Sequence, residues 1–271
     1  RMESRPGVEL FGYFLVPKDG PPRQPAILCL PGHGRGVDSI VGIAEDGSQR
    51  PIDQPGEYQA DFALQCVAHG YPTFAIEQIS FGHRRDAQAQ AAGGGASSCV
   101  RDSMAALMLG ETMTGWRVWD AMRALDYMQT RPEVDPKRLA TMGISGGGLT
   151  SFFTACLDRR VRVGVVSGYF NTFQASVLAM DHCVDNFMPG LRTLIEMPDM
   201  AGLVAPRALF VESGTKDSIF PLPAFKQAVA RAKEIYAAFG APERFGSEIF
   251  EGEHQFYGKG AFAFLEKTLR A

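Results

Sequence analysis

Short apolar runs with β character alternate with helical stretches along almost the whole chain, and this alternation restricts the fold more than any single motif. Val8–Val16, Ala26–Leu30, Pro72–Ile76, Arg138–Ile144, Val161–Ser167, Arg207–Glu212 and Phe245–Phe250 read as strands. Tyr58–Ala68, Val100–Leu109, Thr114–Thr130, Leu149–Leu157, Phe225–Phe239 and Ala261–Leu269 read as helices. Strands separated by helices build a largely parallel sheet with helices on both faces. A continuous apolar run such as Ala26–Leu30 suits a strand buried on both sides. The expected fold is therefore α/β, with a mostly parallel central sheet of about eight strands.

Length and charge narrow the possibilities. With 271 residues, 45% hydrophobic and 21% charged, the chain suits one large domain over 1–271 rather than a disordered polymer. Three polar or mixed stretches, 36–57, 79–98 and 169–205, break the alternation and read as loop or lid-like excursions. A net charge of −3 gives no reason to expect a nucleic-acid partner. No apolar run reaches the roughly 18 residues of a membrane helix, so no membrane partner is expected either. Arg1–Pro6 lacks the apolar core of a secretory signal. The expected compartment is cytoplasmic, with secretion the alternative if a leader has been trimmed. The five cysteines (Cys29, Cys66, Cys99, Cys156 and Cys183) form no C-x-x-C pair and read as reduced.

The chemistry is carried by Gly143-Ile144-Ser145-Gly146-Gly147, a G-x-S-x-G motif between an expected strand and an expected helix. A nucleophile there sits on a tight, strained turn that leaves no room for larger neighbours. It also lies at a helix N-terminus, whose dipole favours developing negative charge. Asp217 follows a later strand and His254 follows the last one. Ser, then acid, then His is the order in which such a fold presents a triad, with His as general base and Asp holding its tautomer. Asp181, Asp185 and Glu196 are alternative acids.

An oxyanion hole needs a second set of backbone donors. Pro31–Gly36 (PGHGRG) ends an early strand, and Arg35 or Gly34 is expected to act with Gly146. Gly32, Gly34 and Gly36 have G-x-G-x-G spacing rather than the G-x-G-x-x-G of a dinucleotide loop, and no cofactor is expected. His33 and His83 are candidate substrate contacts. So are Phe170, Phe187 and Met188, which fall in the stretch that would cover the site and could line an apolar pocket. Asp181, His182 and Asp185 could be drawn as a metal set, but no ligand spacing supports one and no metal is expected. Trp116 and Trp119 share a helix face, read as packing on the sheet.

These pieces together resemble the α/β-hydrolase superfamily: PGHGRG (31–36), GISGGG (143–148), SGTKDSIFP (213–221) and GEHQF (252–256). Within it the chain is similar to the dienelactone-hydrolase and acetyl-xylan-esterase-like branch, which shares its catalytic core with prolyl-oligopeptidase-type peptidases. Dienelactone hydrolases carry Cys as nucleophile where this chain has Ser145. Glucuronoyl esterases follow the nucleophile with Arg, where this chain has Gly146. The resemblance implies a serine esterase acting through an acyl-enzyme on a small-molecule ester with a short acyl group, such as acetyl on a sugar. A peptidase or amidase of the oligopeptidase type, or a non-turnover ligand binder, are the alternatives, and homo-oligomerisation is left open.

Overall fold

The strand Gln24–Leu30 is buried at every position, and its neighbours in sequence point to opposite layers. Ala26, Leu28 and Leu30 join one core cluster, while Ile27 and Cys29 join the other. Period-two alternation in an all-apolar strand is what a sheet with helices on both faces requires. The structure is a computed structural model and describes all residues except 19, 52, 53, 55, 94, 95 and 271. Parts of the first two expected excursions, and Asp19 in the turn after Val16, therefore lie outside the described residues.

Nine strands are described: β1 (Met2–Arg5), β2 (Val8–Leu10), β3 (Gly12–Leu15), β4 (Gln24–Leu30), β5 (Thr73–Ile76), β6 (Val134–Ile144), β7 (Val161–Ser167), β8 (Ala208–Gly214) and β9 (Phe245–Phe250). Seven form the main sheet in the order β3-β5-β4-β6-β7-β8-β9. β3 runs antiparallel to β5, and every other pairing is parallel. The expected strand Val8–Val16 divides at Phe11. Its first half pairs with β1 as a separate two-stranded hairpin and its second half edges the main sheet, so that sheet has seven strands rather than about eight.

The helices are α1 (Phe62–Ala68), α2 (Ala87–Ala91), α3 (Cys99–Met108), α4 (Met113–Thr130), α5 (Gly146–Leu157), α6 (Leu191–Leu194), α7 (Ala201–Val204), α8 (Leu222–Ala238) and α9 (Lys259–Leu265). α4, α5 and α8 bury their apolar faces in one core layer, and α1 and α9 in the other. No helix is long and apolar enough to cross a membrane among the described residues. Trp116 and Trp119 differ from expectation, because the sheet-facing positions of α4 are Val118, Ala121, Leu125 and Met128. Trp119 is 43% exposed and donates from its indole to the Ser4 carbonyl at 2.8 Å, fastening the N-terminal hairpin to α4.

The parallel arrangement brings the ends of β4, β5, β6, β8 and β9 to one edge of the sheet. In an open α/β sheet, loops at the carboxyl ends of the strands are where ligands bind. The turn from β6 into α5 is sterically tight. A Cβ on Gly147 would stand 1.9 Å from the Leu30 carbonyl oxygen, and one on Gly143 would stand 2.2 Å from the Gly147 oxygen. Only glycine lets α5 start this close to β4. Ser151 then pins α5 to the sheet, donating to Val165 O at 2.9 Å.

Candidate active site

Ser145 occupies the turn between β6 and α5 with φ +56°, an outlying backbone geometry for a side-chain-bearing residue. The fold holds it there. Its N–H donates to the Ser167 carbonyl at the end of β7 at 3.0 Å, and its own carbonyl accepts from Leu149 N at 2.9 Å. The side chain is half-buried at the N-terminus of a twelve-residue helix.

Asp217 follows β8 and His254 follows β9, and the structure brings them together. His254 Nδ1 lies 2.8 Å from Asp217 Oδ2. The other carboxylate oxygen, Oδ1, accepts from the N–H groups of Ile219 and Phe220, each at 2.9 Å, which fixes the carboxylate plane. Two aromatic rings lie roughly parallel to the imidazole, Tyr58 at 5.6 Å and Phe220 at 5.7 Å between centroids. His254 Nε2 is buried and has no hydrogen-bond partner among the described residues. An imidazole clamped at Nδ1 and free at Nε2 is arranged to accept a proton. None of the alternative acids reaches His254. Glu196 accepts from Phe173 N and Met197 N, and Asp185 is engaged elsewhere.

The loop after β4 is braced on all sides. Gly32 N donates to Gln59 Oε1 at 2.7 Å, the Tyr58 hydroxyl donates to His33 O at 2.7 Å, and Gln78 Nε2 donates to Pro31 O at 2.5 Å. Gly32 abuts Ser145, since a Cβ there would stand 3.2 Å from Ser145 Cβ. The N–H groups of His33 and Gly146 have no partner among the described residues. The Arg35 side chain is held by other partners, with Nε donating to Glu57 at 2.8 Å and Nη2 to Ile43 O at 2.8 Å; these bonds do not involve its backbone N–H.

The remaining expected contacts separate. His33 lies against the site, its ring packing where a Cβ of Gly146 would be and 4.4 Å from Phe81. His83 points away and bonds Asp38 at 2.9 Å beside Arg35, in a polar cleft. Phe170 is a correction: it is buried in the core against Phe152 and Phe245, because residues 169–173 continue the packing of β7. Met188 lines a separate apolar groove of about 460 Å³ with Trp119, Phe153 and Leu203, while Phe187 is 40% exposed. Arg84 donates to Asp120 at 2.7 Å and to the backbone oxygen of Glu77 at 3.1 Å.

Several contributing residues carry no motif. Glu77 and Glu212 stand at the carboxyl ends of β5 and β8, fully buried. Glu77 accepts from Val37 N at 3.1 Å and His83 N at 3.0 Å, bracing the loop after β4. Glu212 accepts from Tyr257 N and Gly258 N, each at 3.0 Å, which anchors the loop bearing His254. An acid closing an apolar strand (TFAIE, ALFVE) is the signal that could have flagged both.

Burial pushes the Glu212 carboxyl up to about 7, against the N–H groups it accepts. The folded state therefore holds a proton that the unfolded chain releases near its ordinary value, and this group's contribution to stability falls as pH rises toward 7. Glu212→Gln is expected to flatten the decline of Tm between pH 5 and pH 8, so that the variant gains on the wild type as pH rises. Thermal melts across that range check this, and parallel curves would count against it.

Beside the site is a second buried cluster. Asp185 forms an ion pair with Arg117 and lies 3.1 Å from His33 Nε2. Burial alone would raise the Asp185 carboxyl, but Arg117 and His33 hold it well below the usual carboxylate range. Burial likewise opposes charge on His33, yet Asp185 outweighs it and the imidazole rises to about 9. His182 does not join this cluster: its ring packs against Phe220 and both its nitrogens lack partners among the described residues.

Comparison with known proteins agrees with the fold. A family model described as the Abhydrolase family matches residues 4–247. A Bacillus subtilis (strain 168) protein named "Putative hydrolase YtaP" is 29% identical over 236 residues, which is 85% of this chain and 73% of that one. A Bacteroides fragilis NCTC 9343 structure described as a "putative acetyl xylan esterase" superposes with TM-score 0.75 at 20% identity. The match covers 92% of this chain and 64% of that protein, so this chain spans less than two thirds of its length. A glucuronoyl esterase from Solibacter usitatus superposes with TM-score 0.66 at 18% identity, over 96% of this chain and 76% of that one.

Proposed function

The chain belongs to the Abhydrolase family, and from that premise we propose that it is a serine carboxylic ester hydrolase acting on short-acyl esters such as acetyl esters. The observation that carries this reading is the His254–Asp217 pair, 2.8 Å apart, on strand-end loops at the same sheet edge as the Ser145 turn. Ser145 Oγ attacks the ester carbonyl carbon as His254 Nε2 takes its proton. Asp217 keeps the remaining proton on Nδ1 and stabilises the imidazolium. The tetrahedral oxyanion is received by Gly146 N–H and a loop N–H. Because Gly32 abuts Ser145, we assign that second donor to His33, the next residue, in place of Gly34 or Arg35. Each such donor is worth about 3–4 kcal/mol in the transition state. Collapse expels the alcohol with the proton from His254, and water deprotonated by the same imidazole then clears the acyl-enzyme.

Crowding supports a small acyl group. Tyr58 presses on Gly32, His33 and Phe81 press on Gly146, and Phe220 covers His254. The apolar groove containing Met188 and Trp119 does not include Ser145 or His254 in its lining. Hydrolysis of p-nitrophenyl esters from C2 to C12 tests the reading, with kcat/KM expected to peak at C2–C4. A maximum at C8 or longer would overturn the short-acyl preference. Cleavage of peptide anilides without ester turnover would favour an amidase.

A further inference from the structure

We propose that His33, Cys99, Cys183 and Asp185 form a binding site for one tetrahedral divalent cation, with Zn²⁺ the preferred ion. The four side chains come from three separate parts of the chain: the loop after β4, the first residue of α3, and the turn at 183–186. Their ligand atoms all lie within 4.8 Å of one another. His33 Nε2 is 3.0 Å from Cys183 Sγ, 3.1 Å from Asp185 Oδ2 and 3.7 Å from Cys99 Sγ, and Cys99 Sγ is 3.8 Å from Asp185 Oδ2. A zinc tetrahedron with bonds of about 2.3 Å to sulfur and about 2.0–2.2 Å to nitrogen or oxygen has edges of roughly 3.3–3.8 Å. The measured separations bracket that range, so small side-chain adjustments would suffice to seat the ion.

The donor chemistry selects the ion class. Two sulfurs, an imidazole and one carboxylate oxygen suit zinc and disfavour magnesium or calcium, which prefer all-oxygen shells. The surroundings already orient the ligands, as outer partners do in metal centres. Asn186 Nδ2 donates to Asp185 Oδ1 at 2.8 Å, while Oδ2 accepts from Arg117 and also faces His33 Nε2 and Cys99 Sγ. Arg117 donates to Cys99 Sγ at 3.2 Å and pairs with Asp185. Charge also closes: two thiolates and a carboxylate are balanced by a divalent cation together with the Arg117 guanidinium. No ligand motif in the sequence announces this site, because the fold alone assembles it. A bound cation would tie the loop after β4 to α3 and to the covering segment, holding His33 against Gly146.

The binding claim does not depend on the esterase reading, and its test does not use turnover. The 271-residue chain, reduced and stripped of metal with a chelator, is titrated with Zn²⁺ in competition with a chromophoric chelator and, separately, with Co²⁺ followed by absorption. The expected result is one Zn²⁺ per chain. The Co²⁺ form should show a thiolate-to-cobalt charge-transfer band and the intense visible bands of tetrahedral coordination. The Cys99→Ser/Cys183→Ser double variant should lose the charge-transfer band and bind Zn²⁺ about 100-fold more weakly or worse. Wild-type protein that binds no stoichiometric Zn²⁺ and gives no cobalt charge-transfer band overturns the proposal, whether or not the variant folds. So does undiminished binding by the double variant.

Discussion

Ser145→Ala is expected to lower kcat/KM for p-nitrophenyl acetate by about 10⁴-fold or more while leaving Tm within a degree or two of the wild type. The size follows from the role proposed for the residue: without Oγ no acyl-enzyme can form, and the imidazole of His254 would have no nucleophile to activate. Residues that act as one unit lose nearly all their joint effect when one is removed, and what remains comes from the oxyanion donors and binding. Stability should hold because alanine keeps the Cβ, so the strain at φ +56° is unchanged, and the bonds that pin the turn are made by the backbone. A fluorophosphonate probe adds a readout independent of substrate choice, labelling the wild type at Ser145 and leaving the variant unlabelled. Retention of a tenth of the activity, or labelling of the variant, would remove Ser145 from the mechanism.

The proposed triad was legible in the chain because each member is tied to a local signal. Ser145 sits in a glycine turn dictated by sterics, and Asp217 and His254 follow β8 and β9, both of which are read as strands from the sequence. β9 spans Phe245–Phe250 as read, whereas β8 runs Ala208–Gly214, starting one residue and ending two residues later than the sequence suggests. What surrounds the site was not legible, since its positions are set by contacts across the fold. α1 starts at Phe62 rather than Tyr58, because Glu57, Ala60 and Asp61 take positive φ. Tyr58 and Gln59 are drawn out of any helix to hold His33 O and Gly32 N, and Asp61 pairs with Arg50. Phe170 was read as pocket because the mixed stretch after β7 looks uniform in composition, whereas its first five residues are buried and the rest mixes buried positions such as Val177, Asp185 and Met197 with exposed ones such as Leu178 and Leu194. Phe220, which stacks on His254, lies three residues beyond Asp217 in a segment already marked for its acid, yet nothing in the spacing gives an aromatic ring that task.

The buried Arg117–Asp185 pair should produce the largest stability effect of any single substitution near the site. Arg117 is 1% exposed and Asp185 is likewise 1% exposed. Without Asp185 the guanidinium keeps only the Ile79 carbonyl, at 3.0–3.1 Å, the Cys99 sulfur, and the face of Phe81 at 4.1 Å. Those dipoles cannot replace a full counter-charge in a site closed to water. Breaking a buried pair by removing one partner costs about 3–5 kcal/mol, because the surviving charge stays desolvated. Asp185→Ala is therefore expected to lower the unfolding free energy by about that amount, measured by denaturant titration with a chelator present so that metal binding makes no contribution. A second variant isolates the cause. Arg117→Met/Asp185→Leu removes both charges and keeps much of the volume, so it should recover most of the loss if unpaired charge is responsible. If Asp185→Ala falls within about 1 kcal/mol of the wild type, burial of the pair carries little energy here. A double variant no more stable than the single one would instead trace the loss to the hydrogen bond that Asp185 Oδ1 accepts from Asn186 Nδ2 within the covering turn.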